Sequence, residues 1–144
     1  EPGHDHRQRD SRVKKPPNSP PTNAQLAILN VLWDLGPATV RAVHEALTED
    51  EPRGYTTTLK LMQVMAERGL VRRDESQRSH IYEAAVTRDE TQERLVRDLS
   101  SKAFGGSAAS LVMRTLSQTP ATAEELEQIR RMLDQIEHER EAKE

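Results

Sequence analysis

Apolar side chains return every three to four residues through the first half of the chain, then the rhythm breaks and later resumes. Leu26, Leu29, Leu32 and Trp33 follow Thr22-x-x-Gln25, a capping box, and stop at Gly36-Pro37, which predicts a first helix with one buried side. Thr39 is placed to cap a second helix of about three turns, with Val40, Val43 and Leu47 on its inner side. Pro52, Arg53 and Gly54 form a loop. A third helix is expected from near Thr56 to Arg68, ended by Gly69. At about 100° per residue its inner side carries Thr58, Leu61, Met62 and Met65, and its outer side Thr56, Lys60 and Gln63.

After Gly69 the signal changes to strand. Leu70-Val71-Arg72-Arg73 and His80-Ile81-Tyr82-Glu83 flank the turn-like stretch Asp74 to Ser79, so a hairpin follows the three helices. Three helices and a hairpin are the order of a winged helix-turn-helix domain. Beyond it, Thr87-x-x-Glu90 opens a helical segment bearing Leu95, Leu99 and Phe104, broken at Gly105-Gly106. A segment from Ser107 to Ser117 carries Leu111, Val112 and Leu116. Thr122-x-x-Glu125 opens a last one, in which Leu126, Ile129, Met132 or Leu133, and Ile136 form an apolar stripe between Glu/Arg-rich flanks. Such helices bury little against each other, and a stripe without a partner in its own chain is usually covered by a second subunit. The predicted fold class is mainly α. Residues 1–21 are a Pro-rich basic tail, expected to be disordered; 22–86 are a winged-helix DNA-binding domain (three helices plus a β-hairpin wing); and 87–144 are a helical dimerisation domain.

Composition narrows the chemistry. Among 144 residues, 34% hydrophobic, 3% aromatic and 31% charged side chains suit a small core with long exposed surfaces. The absence of cysteine excludes disulfides, thiolate metal sites and cysteine nucleophiles. No apolar run approaches the roughly 18 residues of a membrane span, and the start is polar, so a soluble cytoplasmic protein is expected. His4 and His6 make no closed metal site, and His44, His80 and His138 read as surface residues with no ligand-bringing spacing. Neither a G-x-S-x-G motif nor a phosphate loop is present, so no cofactor, no metal and no catalysis are expected.

The net charge of −3 hides a division along the chain. Residues 1–21 hold five Lys/Arg against three Asp/Glu, 22–86 seven against nine, and 87–144 nine against twelve. Within Arg53 to Tyr82, however, Arg53, Lys60, Arg68, Arg72, Arg73 and Arg78 meet only Glu67, Asp74 and Glu75. The third helix offers hydroxyls at Thr56 and Thr57, a cation at Lys60 and an amide at Gln63, groups suited to base edges and phosphates in a major groove. Arg72, Arg73, Arg78, Ser79 and His80 would flank that groove as a wing. A plainer reading stands beside it: a threonine N-cap, a solvated helix face and a charged strand edge that discourages pairing.

Ile28-Leu29-x-Val31-Leu32-Trp33, then Gly36-Pro37-Ala38-Thr39-Val40-Arg41-x-Val43, Gly54-Tyr55-Thr56-Thr57, Arg68-Gly69-Leu70-Val71 and Tyr82 resemble the penicillinase-repressor (BlaI/MecI) family. Phe104-Gly105-Gly106, Ser110-Leu111-Val112 and the helix from Glu124 to Leu133 resemble that family's dimerisation domain. The resemblance implies a winged-helix repressor that binds a palindromic operator as a homodimer. In many members repression ends by proteolysis triggered through a membrane-bound sensor peptidase. It implies base reading at Thr56 and Thr57, with Leu59 and Lys60 following; Leu59 stands where better-known members carry a basic residue. The aligned family cleavage pair, Asn-Phe, is Arg114-Thr115 here.

The candidate DNA-binding residues are therefore Thr39, Arg41, Tyr55, Thr56, Thr57, Lys60, Gln63, Arg72, Arg73, Arg78, Ser79 and His80. The candidate dimerisation residues are Leu95, Leu99, Phe104, Leu111, Val112, Leu116, Leu126, Ile129, Leu133 and Ile136. The expected partners are double-stranded operator DNA, a second copy of the chain and a sensor peptidase or downstream protease. Two other readings stay open: a small-molecule-responsive winged-helix regulator, for which four aromatic residues supply few pocket walls, and a protein–protein adaptor without DNA binding.

Overall fold

A computed structural model describes residues 19–47 and 53–144. The expected tail up to residue 18, with His4 and His6, and Pro52 of the expected loop lie outside the described residues. Two compact units divide between Asp98 and Leu99.

In the first unit, α1 spans Asn23–Leu35 and begins as its capping box dictates. The Thr22 Oγ1 accepts from the Gln25 amide at 3.2 Å while the Gln25 Oε1 accepts from the Thr22 amide at 2.9 Å. Ile28, Leu29 and Leu32 are buried on one side. Gly36 closes the helix at φ +82°, a left-handed conformation that costs glycine nothing. The second helix, α2, covers only Val40–Ala46, about two turns rather than three. The Leu47 amide donates to both the His44 and Val43 carbonyls, tightening the last turn, and Leu47 packs against the core from beyond the helix end. Thr39 caps α2 as expected, its Oγ1 3.1 Å from the Ala42 amide.

The third helix, α3, spans Tyr55–Glu67 and buries Thr58, Met62 and Met65 at the i, i+4, i+7 spacing of one face. It ends in a Schellman motif: the Leu70 amide donates to the Met65 carbonyl and the Gly69 amide to the Ala66 carbonyl, with Gly69 at φ +79°. That reversal leads into β1 (Val71–Asp74), which pairs antiparallel with β2 (Ile81–Ala84) in the register Arg72 to Glu83 and Arg73 to Tyr82. The hairpin is joined to the helices by backbone. Ala38 and Tyr82 exchange two amide–carbonyl bonds of 2.9 and 2.8 Å, so the turn before α2 acts as a one-residue third strand. The core gathers Ile28, Leu29, Leu32, Val43, Met62, Met65, Leu70, Val71 and Tyr82 from all five elements.

A long helix, α4 (Arg88–Ala103), starts at the reciprocal Thr87–Glu90 bonds, 3.0 Å each, and crosses the division between the units. Its first turns belong with the winged unit because Thr91 is buried there and Arg88 pairs with Asp34 at 2.8 Å. In the second unit α4 ends at Gly105 and Gly106, both at positive φ. Ser107 then caps α5 (Ala108–Gln118), and a Thr122–Glu125 capping box opens α6 (Ala123–Lys143). No side chain of α5 or α6 is buried.

The threonine amide holds the Glu90 carboxyl below the usual carboxylate range. Its contribution is complete above that range and is lost as pH falls through the lowered value. The expected result is that the Thr87 amide resonance titrates below pH 4.5 while core amides stay fixed. Leu29→Ala, at a fully buried position, should cost ~2–5 kcal/mol in denaturant unfolding of the winged unit.

Candidate nucleic-acid interface

The buried side of α3 fixes which residues face out. With Thr58, Met62 and Met65 inside, Thr56, Thr57, Lys60 and Gln63 are exposed, and Tyr55 and Leu59 are half-buried at the edge. Gly54 occupies the N-cap and supplies no side-chain bond to the first turn.

Beside α3 lies an open concavity of about 310 Å³. Thr39 and Arg41 line it from the start of α2, Tyr55, Leu59 and Gln63 from α3, and Arg73, Arg78, Ser79 and His80 from the wing, with Tyr82 at its floor. Three guanidinium groups and no carboxylate therefore line one hollow. The structure brings these sequence-predicted residues together from segments up to about forty positions apart. Thr56, Thr57 and Lys60 lie outside the hollow on the exposed face of the same helix.

The wing arginines separate because strand side chains alternate. Arg73 is opposite Tyr82 on the face toward the hollow, whereas Arg72 is opposite Glu83 and pairs with it at 3.2 Å. Arg73 is itself bound at 2.8 Å by Glu75, and the Tyr82 hydroxyl together with that carboxylate raises its guanidinium above its ordinary value. Asp74, exposed at the end of β1, accepts from the Ser76 amide at 2.9 Å, which holds its carboxyl below the usual range.

Two contacts were not readable from the sequence. The Arg41 guanidinium sits 4.3 Å from the centre of the Tyr55 ring, a cation–π contact that fixes a long side chain at the mouth of the hollow. His44, expected at the surface, is half-buried instead: its Nδ1 lies 2.9 Å from the Thr58 hydroxyl, and its ring meets Tyr55 edge-on at 5.7 Å. The physical reason is Thr58, whose hydroxyl is fully buried under α3 and needs a polar partner. Arg41 and Tyr55, and His44 and Thr58, are each fourteen residues apart, and no periodicity carries such a spacing.

On the second unit, the exposed apolar residues include Leu99, Val112, Leu116, Leu133 and Ile136, with Leu133 and Ile136 each 52% exposed. Phe104, Leu111, Leu126 and Ile129 are half-buried there, and Leu95 is half-buried in the first unit. Met113 and Met132 of this unit, outside the expected set, are also exposed, as is Val96 in the first unit. Among the described residues no group of three or more His, Cys, Asp or Glu side chains could hold a metal, and no helix is long and apolar enough to cross a membrane.

Residues 21–135 match the family model described as penicillinase repressor. The chain is also 32% identical over 113 residues to the transcriptional regulator BlaI of Mycobacterium tuberculosis, in both strain CDC 1551 / Oshkosh and strain ATCC 25618 / H37Rv. Each alignment covers 77% of this chain and 80% of the relative. A helix–helix–helix–hairpin unit and a matching family over most of the sequence agree: the chain belongs to the penicillinase repressor family of winged-helix transcriptional repressors.

Proposed function

We propose that the protein is a homodimeric, sequence-specific DNA-binding repressor that occupies a palindromic operator and is released by a sensor-linked signal or proteolysis. The observation that carries this reading is the polar face of α3 standing beside the carboxylate-free hollow lined by Arg41, Arg73 and Arg78. Thr56, Thr57, Lys60 and Gln63 meet base edges from the first three turns of the helix. Arg41, stacked on Tyr55, and the wing residues Arg78, Ser79 and His80 hold phosphates on either side. Arg72, neutralised by Glu83 on the other wing face, contributes less than Arg78.

The uncovered helices support dimerisation. Leu126, Ile129, Leu133 and Ile136 are spaced 3, 4 and 3 apart, the a/d seam of a coiled coil, on a helix with no buried side chain. Leu99, Val112 and Leu116 extend the area available to a second copy. A two-fold dimer meets two half-sites about 34 Å apart, and its acidic C-terminal segment repels DNA that the reading face does not hold. Arg114 and Thr115 lie within α5, so a protease acting at that bond must first unwind the helix.

Selection of bound sequences from a random duplex pool should return an inverted repeat; recovery of no enriched motif at low salt overturns the reading. Lys60→Ala should weaken operator binding by about tenfold in gel-shift titration and leave the dimer intact. Ile129→Asp should shift the sedimentation equilibrium toward monomer, since a buried unpaired carboxylate is costly.

A further inference from the structure

The winged unit is joined to α4 without slack. Only Ala85, Val86 and Thr87 separate β2 from α4, and each is held. The Ala85 amide donates to the Leu70 carbonyl at 2.9 Å, and the Trp33 indole N–H donates to the Val86 carbonyl at 3.0 Å. Thr87 exchanges two bonds with Glu90. The next residue, Arg88, reaches back across α1: its guanidinium binds Asp34 at 2.8 Å and lies 5.4 Å from the centre of the Trp33 ring. One turn further, Thr91 is buried, its hydroxyl donating to the Thr87 carbonyl at 2.9 Å.

Trp33 and Asp34 directly follow Leu32, a core residue of the helix that packs on α3. The reading helix, α1 and the first turn of α4 are thus one mechanical path. The α4 helix then runs without interruption to Ala103.

We infer that Trp33, Asp34 and Arg88 form a clasp that sets the direction in which α4 leaves the winged unit, and thereby fixes the half-site spacing the dimer accepts. The inference rests on the proposed operator binding. The three are positioning residues that touch no DNA. Adding one base pair between half-sites moves them apart by about 3.4 Å and turns one against the other by about 34°. A dimer with a slack joint absorbs that change, whereas a clasped one loses affinity. Each bond is individually weak: an exposed ion pair, one hydrogen bond and one exposed cation–π contact. Their joint loss corresponds to about a tenfold change in the equilibrium of a docked helix start.

The test uses the full chain with the selected inverted repeat, the same duplex lengthened by one base pair, and an isolated half-site. The wild type should prefer the native spacing. Arg88→Ala and Trp33→Phe, singly and together, should narrow that preference, by about tenfold for the pair. Half-site affinity and the sedimentation dimer should stay unchanged. Trp33 is the single tryptophan, so its accessibility to acrylamide reports directly whether Arg88→Ala has opened the clasp. The double exchange Asp34→Arg with Arg88→Asp re-forms the ion pair and should restore part of the preference. Full retention of spacing preference in the double variant, or in Arg88→Ala with its indole accessible, overturns the inference, as does equal loss of half-site and full-site binding. A wild type that binds no duplex removes the proposed function itself, and the clasp's role with it.

Discussion

Two backbone hydrogen bonds between Ala38 and Tyr82 determine how the winged unit holds together. They fasten the turn between α1 and α2 to the hairpin, two parts that no other regular ladder connects. Because the Tyr82 ring is buried, the hairpin cannot slide along this bridge without exposing a large apolar side chain. Arg73 is then fixed on the inner face of the wing and Arg72 on the outer, and Thr39 and Arg41 follow the bridge directly into α2. The cationic hollow exists because one short bridge gives the helices and the wing a common frame.

Most of this frame was legible in the sequence. Capping boxes at Thr22 and Thr122 and the Thr87–Glu90 pair mark three helix starts, since each satisfies backbone donors by a local rule that needs no tertiary knowledge. Gly36 and Gly69 mark stops for the same local reason. The outward face of α3 followed from which residues a 3.6-residue period must bury. What the sequence did not show is decided by non-local pairing. The half-burial of His44 depends on a threonine hydroxyl fourteen residues away, and the division of Arg72 from Arg73 depends on strand register. The shorter α2 reflects the three-residue bonding at Leu47, which no propensity separates from a further turn.

Charge works on the same principle of local placement. The chain as a whole is acidic, yet the hollow collects three arginines from two segments, α2 and the wing, and excludes carboxylates from its lining. The acidic groups of the wing are occupied: Glu75 and Glu83 on wing arginines, Asp74 on the loop backbone. Net charge alone conceals such an arrangement, and the composition of the segment from Arg53 to Tyr82 reveals only part of it.

Beneath α3 the core presents two methionines, Met62 and Met65, rather than branched aliphatics. Thioether side chains change rotamer at little cost and fill irregular gaps. The α3 helix therefore rests on a compliant bed: it can settle by tenths of an ångström without opening a void beneath it. A branched residue at either position would stiffen that seat and narrow the range of positions the helix can take up.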